Sequence, residues 1–346
     1  VSSAVQMPDV ASQVGYYYQA EGTFEVGREK IREYARAVQD FHPAHWDEGA
    51  AADLGYSGLV APLTFVSIPA MAANRRLFEE VVRGYDTFVQ TEQVFEQYKP
   101  IVAGDRLVTD VELSSVRQIA GKDLITVTNT FTDPLGEVVH AMHTTVVGVT
   151  GEGVDPALTG AVAGVMMHGI TVFTPRDEVV SSDEPMPRRP EGEVRYSLEG
   201  AARTPATTLS FDDLTVGLEL PLREATVSRG DLVNYAGVSG DSNPIHWDAR
   251  IARLAGLPDV IAHGMLTMGL GAGFVSAWSG DPGAAARYGV RLSNYTVVSA
   301  ESGGRIEYTG RVKSLDPNTR TAVIAIVAKS LGRKIFGLAT TNVKFR

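Results

Sequence analysis

Apolar and polar positions alternate with a period of two in four stretches of the first half of the chain, 88–98, 106–119, 122–132 and 138–149. Four more occur in the second half, 288–297, 304–315, 320–330 and 334–345. That period is the one of a strand with a single buried face. Turn formers such as Asp133-Pro134-Leu135-Gly136 and Asp316-Pro317-Asn318 between neighbours fit antiparallel hairpins. Helical spacing instead marks 29–38 and 48–54, with counterparts at 229–238 and 249–255. A longer apolar helix is expected from near Ala61, and another over 264–278. The latter is apolar on nearly every side and rich in Gly and Ala, so it should be buried and closely wrapped by strands.

The halves match residue by residue. An offset of 201 carries Tyr34-Ala35 onto Tyr235-Ala236, Asp40 onto Asp241, Pro43 onto Pro244, and His45-Trp46-Asp47 onto His246-Trp247-Asp248, then Gly55 onto Gly256 and Ala61 onto Ala262. Such a constant offset marks a tandem of two homologous units. Helices early and strands late in each make an α+β pattern, and a curled antiparallel sheet around one central helix is the hot-dog arrangement. The expected organisation is therefore a double hot-dog, with domains at 1–150 and 208–346 pairing their sheets edge to edge. The connection, 151–207, carries the Pro-rich, charged run at 181–190 and is expected to have little packed structure, although 164–173 is apolar enough for an extra strand.

Composition narrows the function classes. The net charge of −10 and the lack of a basic stripe argue against nucleic acid. Residues 1–210 hold 16 Lys and Arg against 29 Asp and Glu, and the remainder 15 against 12, so an acidic partner would dock more easily on the second half. No stretch reaches the roughly 18 apolar residues of a membrane span, and the first residues do not read as a secretory leader. The absence of cysteine removes disulfides, thiolate metal sites and a thiol nucleophile. A cytoplasmic location is expected.

Candidate chemistry gathers in Tyr235-Ala-Gly-Val-Ser-Gly-Asp-Ser-Asn-Pro-Ile-His246 and Ile261-Ala-His-Gly-Met265. Asn243-Pro244 breaks the helix and leaves Asp241 and His246 on opposite limbs of a short loop, where a carboxylate beside an imidazole suits general acid and base work. Ser239 and Asn243 are placed to hold the loop or bond the pair. His263 and Gly264 open the buried helix, whose N–H groups carry partial positive charge, and glycine there lets a carbonyl approach the backbone. A plain turn and a capping histidine are the bland readings of each part; the combination favours an acid–base site with an oxyanion donor. Gly269-Leu-Gly-Ala-Gly273 lies inside a helix and reads as packing. His42-x-x-His45 and His140-x-x-His143 lack an accompanying carboxylate pattern, so no metal is expected.

These residues resemble the hydratase signature of MaoC-like (R)-specific enoyl-thioester hydratases and dehydratases. The first half is similar to the HadA subunit of actinobacterial (3R)-hydroxyacyl-carrier-protein dehydratases and the second to HadB, so the chain resembles a fusion of the two. The resemblance implies a double hot-dog enzyme of fatty-acid or mycolic-acid elongation. Asp241 and His246 would form the catalytic pair and Gly264 the oxyanion donor, with Ser239, Asn243 and His263 supporting. It implies no cofactor, a substrate carried on acyl carrier protein or coenzyme A, and acyl carrier protein and other elongation enzymes as partners. In the first half Asp40 and His45 persist, but His42 replaces Asn243 and Pro62-Leu63 replaces His263-Gly264. That half is expected to be non-catalytic and to shape the acyl cavity, with Val66, Ile68, Met71 and Leu77 as lining. The alternatives are an (R)-specific enoyl-CoA hydratase of fatty-acid oxidation or storage-polymer supply, and a non-catalytic acyl-thioester-binding protein. Arg305, Arg311, Lys313, Arg333 and Lys334 are the candidates for carrier docking.

Overall fold

The structure, a computed structural model, describes residues 9–85, 87–149, 156–166 and 185–346. The first half opens with two short strands, β1 (Tyr17–Gln19) and β2 (Phe24–Glu25), and helix α1 (Arg28–Ala37). Helices α2 (Glu48–Asp53) and α3 (Ser67–Arg76) follow, then the long strands β3 (Thr87–Gln97), β4 (Arg106–Ile119), β5 (Lys122–Thr132) and β6 (Val138–Val149). The expected helix from Ala61 begins six residues later. Pro69 can sit only in a first helical turn, because deeper in a helix its ring would clash with the carbonyl four residues back. Residues 62–66 form tight turns instead, with the Phe65 N–H on the Pro62 carbonyl at 2.9 Å.

After α4 (Pro156–Ala163) and α5 (Glu199–Ala202), the second half repeats the plan. It comprises β7 (Glu219–Val227), α6 (Arg229–Ser239), α7 (Ala249–Leu254), α8 (Gly264–Ser279), β8 (Ala285–Leu292), β9 (Gly304–Asp316), β10 (Thr321–Ser330), β11 (Arg333–Lys334) and β12 (Phe336–Lys344). All strands join one antiparallel sheet in the order β1-β4-β5-β6-β3-β8-β12-β10-β9-β7, with β2 on β4 and β11 on β10. The edge-to-edge pairing is the β3–β8 seam, where Phe95 faces Tyr288 in the core. At its wetter positions Arg287 lies 3.6 Å from Glu96 and Arg291 3.5 Å from Glu92, opposite charges that favour this register over a slipped one.

The helix α8 is buried along almost its whole length, as its composition predicts. Its glycines let neighbours close in: a Cβ at Gly269 would stand 2.5 Å from Val38, which caps the C-terminus of α1, and one at Gly273 3.1 Å from the Asp40 carboxyl carbon. The second half's central helix is thus packed against the first half, and one apolar core runs through both.

The described part of the connection after 184 is packed against both halves, more than expected. The Tyr17 N–H donates to Pro187 and the Val138 N–H to Arg195, while Arg203 reaches Asp281 at 2.7 Å and stacks on Tyr56. Asp281, 1% exposed, also accepts from the Tyr56 hydroxyl and the Ala206 N–H, so this buried carboxylate ties connection and halves together. Of the apolar run 164–173, Gly164–Met166 close the turn after α4 rather than a strand, and the rest lies outside the described residues.

Candidate active site

Helix α6 ends at Gly240, whose φ of +83° turns the chain left-handed and releases Asp241. The Asn243 side-chain oxygen accepts the Ile245 N–H at 3.2 Å and starts a single 3-10 turn, Pro244–His246. The Asn243 N–H donates to the Asp241 carboxylate at 3.3 Å, and Ser239 Oγ accepts the Asp241 N–H at 3.2 Å. Ser239 and the exposed Asn243 therefore hold the loop that aims the acid.

His246 Nδ1 lies 2.8 Å from the Ile261 carbonyl. A carbonyl only accepts, so the neutral ring carries its proton on Nδ1 and leaves Nε2 a free base. Burial pushes the His246 pKa down, outweighing the nearby Asp241 charge, so the ring stays neutral to lower pH than an exposed histidine. His263 stacks on it with ring centroids 3.8 Å apart and sets Nε2 3.2 Å from the Asp241 carbonyl. Burial, and then His246, hold His263 down to about 2, and its buried Nδ1 has no hydrogen-bond partner. The chelating atoms of Asp241, His246 and His263 lie within 4.8 Å of one another. Ion binding there is disfavoured by the stacking, because in-plane lone pairs of two nearly parallel rings run side by side instead of converging.

Gly264 is the first residue of α8, where backbone N–H groups lack partners within the helix. A Cβ there would come within 2.8 Å of Leu292 Cδ1 and 3.7 Å of Gln90 Oε1, so a larger residue would require the Leu292 side chain to move. Gln90 and Leu292 had no signal of their own in the sequence; Gln90 reaches this point from the first half across the β3–β8 seam.

The first-half counterpart repeats the frame and reverses the electrostatics. His42 takes the place of Asn243 with the same bond, its Nδ1 accepting the Ala44 N–H at 3.2 Å, and His45 Nδ1 bonds the Val60 carbonyl at 2.6 Å. Here, however, His45 Nε2 lies 3.2 Å from Asp40 Oδ2, and Ser276 Oγ of α8 reaches that oxygen at 3.2 Å. The attraction between them is mainly Coulombic. Burial opposes both charges, yet the partner's charge and the surrounding hydrogen bonds together outweigh it: Asp40 is held at about 2 and His45 is raised. The adjoining cavity is about 10 Å³, bounded by Asp40, Leu63, Ser276 and Asp281, room for a single water and not for an acyl chain.

Two further histidines sit elsewhere. His140 packs between Phe95 and Phe131 and is pushed down to about 4 by burial, while His143 lies 3.5 Å from Glu96. Of the proposed acyl lining, Val66 and Leu77 lie in two separate apolar clusters, Ile68 packs against that of Val66, and Met71 is 42% exposed, which places Met71 on the surface instead of in a cavity.

Comparison with known proteins places this geometry in a family. Residues 12–142 match the model of the FAS1-like dehydratase domain region, and residues 215–320 that of the MaoC-like domain. A solved MaoC-like dehydratase is 62% identical, covering 98% of this chain and 100% of its own, with a TM-score of 0.91. A UPF0336 protein of Mycobacterium leprae (strain TN) is 40% identical over 152 residues, 43% of this chain and 96% of that protein. A double-hotdog protein of Mycobacterium tuberculosis shares the fold, at 13% identity, a TM-score of 0.63 and 96% coverage of each chain. The α+β double hot-dog and the arrangement of a HadA-like unit followed by a HadB-like one agree with these matches. The chain belongs to the MaoC-like dehydratases, and it is a hydro-lyase.

Proposed function

We propose that the chain interconverts (3R)-hydroxyacyl thioesters and trans-2-enoyl thioesters, with Asp241 and His246 as the catalytic pair and Gly264 at the thioester carbonyl. The observation that carries this reading is the neutral, buried His246 with its Nε2 unprotonated beside the Asp241 carboxyl, at the start of a 16-residue helix. In dehydration His246 Nε2 takes the C2 proton, which the thioester has acidified. Electron density moves onto the carbonyl oxygen, where the positive helix end and the Gly264 N–H stabilise it. The C3–O bond then breaks as Asp241, carrying the proton passed to it from the His246 imidazolium, delivers it to the departing hydroxyl, which leaves as water. The pair ends as it began, a neutral imidazole beside a carboxylate, and hydration runs the same steps backwards.

The acyl group is expected on acyl carrier protein or coenzyme A, in fatty-acid or mycolic-acid elongation. Arg305, Arg311 and Lys313 alternate along the exposed face of β9, and Arg333 and Lys334 lie in the hairpin that bonds Ser293 and Asn294, next to Leu292. They supply positive charge for an acidic carrier or for coenzyme A phosphates. The test is the hydration rate of trans-2-enoyl-CoA. Asp241→Asn should reduce kcat/KM by about a hundredfold or more, and an unchanged rate would refute the assignment.

A further inference from the structure

The first half reaches the second half's site through one polar side chain, and the surrounding hydrogen bonds fix which way it points. Gln93 is fully buried, and its amide nitrogen donates to the carbonyls of His143 at 3.1 Å and Val94 at 3.3 Å. Its oxygen is therefore the accepting end, and it accepts from Thr144 Oγ1 and Gln90 Nε2, each at 2.8 Å. Gln90 thus commits its NH2 group to Gln93, with a second contact to Met265 Sδ at 3.6 Å. What it turns toward Gly264 is its carbonyl oxygen, 3.7 Å from where a Cβ on that residue would stand. The β3–β6 register shifts between Gln90 and Glu92, a bulge of the kind that re-aims a side chain at the edge of a site.

A thioester carbonyl drawn to the Gly264 N–H would pass close to this oxygen. Two acceptors do not bond each other, so the substrate must offer Gln90 a donor. We propose that Gln90 is a substrate-positioning residue lent by the first half, its Oε1 accepting a hydrogen bond from the bound thioester. The donor is either the 3-hydroxyl or the nearest amide N–H of the thiol arm. The hydroxyl suits the chemistry well: engaging its hydrogen with a neutral acceptor leaves its lone pairs for the proton from Asp241. The inference rests on the dehydratase reading of Asp241 and His246.

The experiment uses the full chain carrying Gln90→Met, which keeps length and removes the carbonyl, with Gln90→Leu as a second variant should the first fold poorly. KM and kcat are measured for a trans-2-enoyl-CoA and for the (3R)-hydroxyacyl-CoA of the same length, beside Asp241→Asn, with thermal midpoints as the folding control. Loss of one positioning hydrogen bond should lower kcat/KM about tenfold in both directions, as the fixed equilibrium requires, with the midpoint nearly unmoved. A loss that lies in KM for the hydroxyacyl substrate and in kcat for hydration of the enoyl substrate assigns the donor to the hydroxyl, and a loss that lies in KM for both assigns it to the thiol arm. A kcat/KM within about twofold of wild type in both directions, with Asp241→Asn inactive, overturns the inference alone. An active Asp241→Asn overturns the reading beneath it.

Discussion

Asp40 with His45 and Asp241 with His246 occupy the same frame at the same spacing, yet the two histidines are shifted in opposite directions. In both, the histidine's Nδ1 bonds a carbonyl, of Val60 or of Ile261. In the first half Nε2 then faces a carboxylate at 3.2 Å, whose charge favours the protonated ring. In the second half burial outweighs the acid and the ring is held neutral, so its Nε2 remains available to a substrate. The difference traces to what covers each loop. Ser276 and the bare backbone of Gly273 seal Asp40 to 4% exposure, whereas Asp241 stays half-buried beneath His263. A sealed pair of this kind interacts chiefly with itself.

Several experiments bear on that contrast, and the largest effect is expected from the second-half acid. Asp241→Asn should cost about a hundredfold or more in kcat/KM with little change in thermal midpoint. Asp40→Asn should act on stability: removing one partner of a buried pair costs up to about 3–5 kcal/mol, and less where the imidazole sheds its proton. That cost depends on pH. Asp40, lowered from 3.8 to about 2, contributes stability present above pH 3.8 and lost as pH falls toward 2. His45, raised above 6.5, contributes stability that is complete below 6.5 and lost as pH rises through its folded value. Denaturant unfolding of wild type and Asp40→Asn should therefore differ most between pH 3.8 and 6.5 and converge at alkaline pH.

A smaller effect concerns the base. With its pKa lowered, His246 should keep the acid limb of kcat/KM below pH 6.5, and a limb above that value would contradict a neutral buried imidazole. The smallest effect is expected at Gly264. Gly264→Ala drives a Cβ toward Leu292 Cδ1, the end of a flexible side chain that can move, so a loss of roughly tenfold is expected. Adding Leu292→Ala makes room; if carbonyl approach is what glycine serves, the rate stays low, and full recovery would reduce Gly264 to packing.

Much of this was legible in the sequence because the offset of 201 is also an offset of hydrogen bonds. The turn bonds of His42 and Asn243, and the carbonyl bonds of His45 and His246, are local and recur wherever the residues recur. Strands β4, β5 and β6 were legible to the residue because turn residues, Gly121 and then Asp133 to Gly136, separate them. Short edge strands such as β1, three residues long, have too few positions to establish a period. The sealing of Asp40 by Ser276 and the arrival of Gln90 beside Gly264 depend on how the two halves pack, across 236 and about 170 residues of chain, which no local pattern encodes.

The most direct test crosses two variants with two readouts, measuring trans-2-enoyl-CoA hydration and thermal midpoint for Asp241→Asn and Asp40→Asn at pH 6. The account predicts that Asp241→Asn loses rate and keeps its midpoint, while Asp40→Asn loses midpoint and, below its transition, keeps rate within a few-fold. A large loss of rate in folded Asp40→Asn, or an active Asp241→Asn, would contradict it.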